Sequence, residues 1–92
     1  MIQSFKCKQT KALFNGKHPK AFASFERAAA RKLLILDAAC EIEDLRSPPG
    51  NRLEALKGKR SGQYSIRINN QWRLCFEFKN GQAHAVEIVD YH

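Results

Sequence analysis

The sequence predicts an α+β fold in a single domain over residues 1–92, and three observations predict it. From about Lys20 to Cys40 there is no Gly or Pro. Phe22, Phe25, Ala29, Leu33, Leu36 and Cys40 recur there at three- and four-residue spacing, the apolar stripe of an amphipathic helix. After Ser47-Pro48-Pro49-Gly50-Asn51 the apolar period changes to two, the mark of strands with one buried face. A chain of 92 residues is near the lower size at which one hydrophobic core sustains a fold, so both halves are expected to share it.

Taken in chain order, Ile2 to Phe5 is a short apolar opening that predicts a strand. Thr10 predicts a cap for a brief helical turn over Lys11-Ala12-Leu13-Phe14, which Asn15-Gly16 ends with residues that accept the left-handed conformation. His18-Pro19 leads into the long helix, whose Ala28-Ala29-Ala30 run favours helix intrinsically. Arg27, Arg31 and Ser24 fall on its solvent side, with Lys20 and Lys32 nearby. Glu41, Glu43 and Asp44 follow near its C-terminus, where acids oppose the macrodipole and a neighbouring cation is expected to offset them.

In the second half, Tyr64, Ile66 and Ile68 alternate with polar residues, as do Trp72, Leu74, Phe76 and Phe78. A three-residue loop at Asn69-Asn70-Gln71, with Asn in the left-handed conformation, sets Ile68 against Trp72, Ile66 against Leu74 and Tyr64 against Phe76. A two-residue loop breaks that pattern and is rejected. The accepted register places Arg67 opposite Arg73, two like charges that repel and require an offset: Glu77, Glu87 or a bound anion. Asn80-Gly81 marks the next hairpin, and the last strand runs from about Ala83 to Val89. A tight turn alone would pair Leu74 with Glu87, so a bulge or longer loop is expected.

Charge is concentrated. The net charge is +7, and Arg46, Arg52, Lys57, Lys59, Arg60, Arg67 and Arg73 face a single acid, Glu54, within residues 46–73. Such clustering is the electrostatic footprint of a polyanion partner. Cys7, Cys40 and Cys75 form no CxxC and no zinc spacing, so three reduced, structural thiols are expected. No apolar run approaches the roughly 20 residues of a membrane span, and the start has no signal-peptide core. No membrane partner and a cytoplasmic location are therefore expected.

An antiparallel meander gathers Arg67 and Arg73, the Lys57-Gly58-Lys59-Arg60 run and the ending Asp90-Tyr91-His92. That set suits RNA cleavage without a metal or other cofactor. The 2′-hydroxyl must lose a proton, the 5′-oxygen must gain one, and Arg or Lys stabilises the extra charge between them. His92 has the one nearby pKa close to neutrality, Asp90 orients it or acts as base, and Tyr91 stacks or donates. His92 beside Asp90 and its own main-chain carboxylate is expected to have a raised pKa. Read blandly, the same residues are a solvated turn and a terminus.

Asp44-Leu45-Arg46-Ser47-Pro48-Pro49-Gly50-Asn51-Arg52-Leu53-Glu54-Ala55-Leu56-Lys57-Gly58 resembles the centre of HigB-type toxins of the RelE/ParE superfamily. The stretch Gln63 to Phe76, with Asn70-Gln71-Trp72-Arg73, and the ending Val86 to His92 resemble the same family, and with Met1 to Phe5 the similarity spans essentially the chain. The resemblance implies a RelE-like fold, with an N-terminal strand and two helices on one face of an antiparallel sheet. It implies a type II toxin: a ribosome-dependent mRNA endoribonuclease that inhibits translation and is neutralised by a HigA-type antitoxin. That antitoxin carries a helix-turn-helix domain, through which alone operator DNA is contacted. It assigns catalysis to Lys57, Arg73, Asp90, Tyr91 and His92; the basic cluster itself makes Arg52, Lys59, Arg60 and Arg67 the candidates for RNA binding. Where some members have His three positions before the Lys, this chain has Glu54, which is free to pair with Lys57 or Arg52. Arg27 and Arg31 are candidate antitoxin contacts. The alternatives are a ParE-like non-catalytic inhibitor of DNA gyrase and a basic nucleic-acid-binding module.

Overall fold

The computed structural model describes residues 1–90. Helix α1 spans Lys8–Phe14, and a 3₁₀ segment Lys20–Phe25 leads into α2, Glu26–Ala38. Short 3₁₀ turns at Ile42–Arg46 and Pro49–Asn51 precede β1, Glu54–Ala55, and another at Gly58–Arg60 precedes β2, Gln63–Arg67. Strands β3, Trp72–Lys79, and β4, Gln82–Asp90, complete an antiparallel sheet in the order β1-β2-β3-β4.

The β2–β3 register is the one the apolar pattern demands: Tyr64 faces Phe76, Ile66 faces Leu74 and Arg67 faces Arg73. The loop does not use a left-handed Asn, since positive φ occurs at no residue from 69 to 71. Instead the Asn69 side-chain carbonyl accepts the backbone N–H groups of Gln71 and Trp72, both at 2.8 Å, and closes the turn from the side chain. The Asn80-Gly81 turn does take positive φ at both residues. It pairs Lys79 with Gln82, and the register then shifts between Cys75 and Glu77 so that Leu74 meets Ile88 rather than Glu87. The extra residue is Ala85, at φ 53, and the bulge returns Val86 and Ile88 to the core.

The N-terminal segment runs parallel to β4 but touches it only at isolated bridges, Ile2–Ala83 and Phe5–Val86. The bulge lies between those bridges, and its Ala85 N–H is taken by the Ser4 hydroxyl at 2.9 Å. A regular strand is therefore interrupted where the sequence predicted one.

The predicted long helix divides at Phe25, whose φ of −133 leaves the helical region. The 3₁₀ repeat of three residues aligns Phe22 with Phe25, and both rings pack on Trp72, Phe25 stacked at 4.8 Å and Phe22 edge-on at 6.1 Å. From α2 the stripe Ala29, Leu33 and Leu36 lies fully buried against Ile66, Leu74, Phe76 and Val86 of the sheet. Cys40 is exposed beyond the end of α2, not on the buried stripe. Thr10 is not a cap: α1 begins two residues earlier, and the buried Thr10 hydroxyl accepts the Ile88 backbone N–H at 3.1 Å, fastening α1 to β4.

The acids after α2 begin a new turn rather than crowd the old helix end. The Asp44 carboxylate accepts the N–H groups of Cys40 and Glu41, which hold it below its ordinary pKa. Arg46 answers Glu43 at 2.5 Å. No helix among the described residues is long and apolar enough to cross a membrane.

Candidate RNA-binding site

The polar face of the sheet is built around Arg73. Its side chain is 9% exposed, and Ser65, Arg52 and Glu54 hold it from the β1–β2 side. Nε donates to the Ser65 hydroxyl at 2.8 Å, and Nη2 donates to the Arg52 carbonyl at 2.6 Å. Glu54 Oε1 lies 3.3 Å from Nη2. Strand alternation explains the set: Glu54 pairs with Ser65 across β1–β2, so both reach the face that Arg73 occupies. Arg52 takes part because its backbone is left-handed at φ 45, a costly conformation for a side chain of this size, which aims its carbonyl at the guanidinium.

The offset for the facing arginines is thus Glu54. Glu87, named from the sequence, instead holds Arg60 at 3.0 Å and Lys6 at 3.7 Å. Glu54 pairs with neither Lys57 nor Arg52 but with Arg73. Arg67 donates to the Asn70 side-chain carbonyl.

Between these groups opens a cavity of about 340 Å³ lined by Arg52, Glu54, Arg67, Asn69, Asn70 and Arg73. Three guanidinium groups face one carboxylate, so the cavity attracts anions, and its walls are almost wholly polar side chains. Two of the residues expected to bind RNA, Arg52 and Arg67, meet there with one expected to catalyse, Arg73.

The other described candidates do not line it. Lys57 and Lys59 are exposed on the β1–β2 connection, which Gly58 turns with φ +65. Arg60 is half-buried and donates to Gln63 and Glu87, both at 3.0 Å. Asp90 pairs with Trp72 at the end of β4 and accepts from Gln71 Nε2 at 2.9 Å, while its neighbour Val89 faces Arg73. Tyr91 and His92, with the raised His92 pKa expected above, lie outside the described residues. Arg27 and Arg31 are exposed on α2.

Sequence reasoning missed Ser65, although period-two alternation places it on the face of Arg67 and Arg73. It also missed Lys32 and Asn51. Lys32 is buried rather than solvated, and its ammonium donates to Asn51 Oδ1 at 2.5 Å. Asn51 Nδ2 donates to the Leu45 and Ser47 carbonyls, pinning the loop that presents Arg52. Burial lowers the Lys32 pKa, and Arg31 and Arg67 lower it further. Cys75 is buried beneath the polar face. Burial pushes its thiol up, Arg60 and Arg73 oppose and Glu87 adds, so it is a poor nucleophile.

A family model described as "RelE-like toxin of type II toxin-antitoxin system HigB" matches residues 3–92. The chain is 54% identical over 61 residues to Toxin HigB-1 of Vibrio cholerae serotype O1, an alignment covering 66% of this chain and 64% of the relative. It is 38% identical over 93 residues to Endoribonuclease HigB of Proteus vulgaris, covering 100% of both. An uncharacterized protein of Haemophilus influenzae is 42% identical over 66 residues, covering 72% of this chain and 65% of that protein. The chain thus spans just under two thirds of the Vibrio and Haemophilus relatives and the full length of the Proteus one. Among solved structures, YafQ from E. coli superposes with a TM-score of 0.65 at 11% identity, covering 99% of this chain and 92% of that one. YoeB–YefM, a heterotetrameric toxin-antitoxin complex from Staphylococcus aureus, superposes at 0.58 with 19% identity, covering 100% and 98%. Fold agreement with these structures and a family match over nearly every residue lead to one conclusion: the chain belongs to the HigB-like family of RelE-like toxins of type II toxin-antitoxin systems.

Proposed function

We propose that residues 1–92 act as one toxin domain that cleaves mRNA on the ribosome and so inhibits translation in the cytoplasm. The observation that carries the reading is the arginine cavity, in which Arg73 is already oriented by Ser65, Arg52 and Glu54 before any substrate arrives. Cleavage moves a proton from the 2′-hydroxyl, forms a bond from that oxygen to phosphorus and breaks the bond to the 5′-oxygen, which takes up a proton. Negative charge grows on the phosphoryl oxygens between those events. Arg73 and Arg67 stabilise it with charges fixed in advance, the arrangement that lowers a barrier most. Lys57, Asp90, Tyr91 and His92 are assigned the proton transfers and substrate contact, with His92 as the acid for the leaving oxygen. Arg52, Lys59 and Arg60 track phosphates.

An antitoxin of HigA type neutralises the toxin and connects it to operator DNA through a helix-turn-helix domain. The family match and the YoeB–YefM complex support a protein antitoxin. The test is cleavage of a defined message on programmed ribosomes, beside the same message free in solution. Cuts confined to the ribosome-bound message are expected. Intact message in both, together with inhibition of gyrase supercoiling, overturns this reading in favour of a ParE-like inhibitor.

A further inference from the structure

Beside the arginine cavity lies a second, wider depression of about 600 Å³. Phe25 at the end of the 3₁₀ segment and Arg27, Ala28 and Arg31 of α2 line one side, and Asn69 of the β2–β3 loop lines the other. Asn69 also lines the arginine cavity, so the two depressions meet at that residue. Its side chain is held by two backbone N–H groups, which makes it a fixed divider.

The charges in the second depression are unbalanced. Arg27 and Arg31 are four residues apart on an exposed helix face, the spacing at which like charges oppose each other. Neither has an ion-pair partner among the described residues. The carboxylate in the same depression, Glu26, is engaged by His18 at 2.7 Å. The two depressions are also close electrically, because the buried Lys32 ammonium feels Arg31 from one and Arg67 from the other.

We infer that this second depression binds the continuing backbone of the single-stranded RNA held in the arginine cavity, with Arg27 and Arg31 each facing a phosphate beyond the scissile one. The inference rests on the reading of the arginine cavity as an RNA site. Continuity through Asn69 favours RNA over an acidic protein segment, which would reach these arginines without any need for the adjoining cavity. The substrate footprint then extends from the sheet face onto α2.

The experiment uses fluorescein-labelled, fully 2′-O-methylated RNA oligomers of two and seven nucleotides, which bind without being cut, read by anisotropy across a salt series. Wild-type protein is expected to bind the seven-mer at least tenfold more tightly than the two-mer. Arg27→Ala/Arg31→Ala is expected to erase most of that gain, to leave two-mer affinity unchanged, and to flatten the salt slope of the seven-mer by about 1.4, the value for two phosphates on a single strand. Arg27→Lys/Arg31→Lys, which keeps both charges, is expected to restore at least half of the gain. Exposed Arg→Ala changes in a helix preserve its propensity, and circular dichroism confirms that the fold is retained. Wild-type seven-mer binding by the double-Ala protein overturns the inference. So does loss of antitoxin binding with RNA binding intact, which assigns the depression to the antitoxin. A separate arm, Arg67→Ala, tests the underlying reading: undiminished two-mer binding there removes RNA from the arginine cavity itself.

Discussion

Arg73→Ala removes the charge about which the polar face is organised, and its consequences for stability and for chemistry separate cleanly. The side chain is buried and its partners include a fully buried Ser65 hydroxyl, the Arg52 carbonyl and the half-exposed Glu54. Each buried polar group left without a partner costs about 1–3 kcal/mol. The Ser65 hydroxyl is such a group, the part-buried Arg52 carbonyl is orphaned in part, and Glu54 rehydrates at little cost. Relief of the repulsion from Arg67 and of the desolvation of a buried cation returns part of the loss. The net destabilisation comes to roughly 2–4 kcal/mol, against a total stability of about 5–15 kcal/mol for a domain of ordinary size. At about 4–8 °C per kcal/mol, the melting temperature falls by roughly 8–32 °C and the protein stays folded in the cold.

The assay therefore has two stages. Thermal unfolding followed by circular dichroism gives the loss of stability. Single-turnover cleavage on programmed ribosomes is then measured at a temperature where the variant is fully folded. Loss of a fixed charge at the developing oxyanion lowers the rate by about 10²-fold or more. Arg73→Lys keeps the charge but not the fork that spans Ser65 and the Arg52 carbonyl, so it recovers part of the rate and less of the stability. A melting temperature within about 3 °C of wild type refutes the clasp, on the scaling of stability to melting used above. A wild-type rate in a folded Arg73→Ala protein refutes the charge stabilisation.

Two further outcomes follow from particular contacts. Gly81→Ala places a Cβ 2.9 Å from the Cys40 carbonyl oxygen at a backbone φ of +76, and the left-handed conformation alone costs Ala about 1–2 kcal/mol; the urea midpoint should drop clearly, and an unchanged midpoint sinks the packing argument. Lys32 titrates lower when folded than when unfolded, so the unfolded chain binds more protons between those values and wild-type stability gains from this residue as pH rises from the folded value towards 10.5. Melting curves from pH 7 upward should show that gain missing in Lys32→Met; because Cys75 titrates with the opposite sign in both proteins, the difference between them isolates Lys32, and parallel curves refute its burial.

The sheet was legible because its information is local. Alternation in Tyr64–Ile68 and Trp72–Phe78 admits one register, which sets Arg67 opposite Arg73, and the Asn80-Gly81 turn set against the alternation of β3 called for a bulge or longer loop before Glu87. What resisted reading depends on contacts distant in sequence. Ser65, Glu54 and the Arg52 carbonyl converge on Arg73 only after three strands assemble, and no spacing rule announces that a carbonyl will serve. The helical stripe correctly marked Phe22 and Phe25 as core but not the 3₁₀ turn that aligns them on Trp72, because periods of 3.0 and 3.6 are indistinguishable over six residues. Lys32 read as solvated because charged residues usually are. Its burial follows from Asn51 arriving from a Pro-Gly loop with a carbonyl to accept it.

If the cavity cleaves RNA as proposed, Glu54 decides how far its anion attraction is held back. Its carboxylate lies 3.3 Å from the Arg73 guanidinium, where a substrate phosphate must also approach, and the side chain is 54% exposed. A carboxylate so placed does two opposing things. It orients Arg73, and it repels the incoming anion. Orientation survives its loss, since Ser65 and the Arg52 carbonyl remain, whereas repulsion does not. A solvent-exposed charge of this kind contributes about 0.5–1 kcal/mol, a factor of roughly two to five in affinity. Glu54→Gln keeps the shape and removes the charge, so it should bind the 2′-O-methylated two-mer roughly two- to fivefold more tightly, again on the scale of exposed ion pairs. Its single-turnover cleavage should stay within about threefold of wild type, which corresponds to well under one factor of ten in barrier terms. The opposite pattern, unchanged binding with cleavage lost, would make Glu54 the proton acceptor for the 2′-hydroxyl. The role of holding Arg73 would then pass wholly to Ser65 and Arg52.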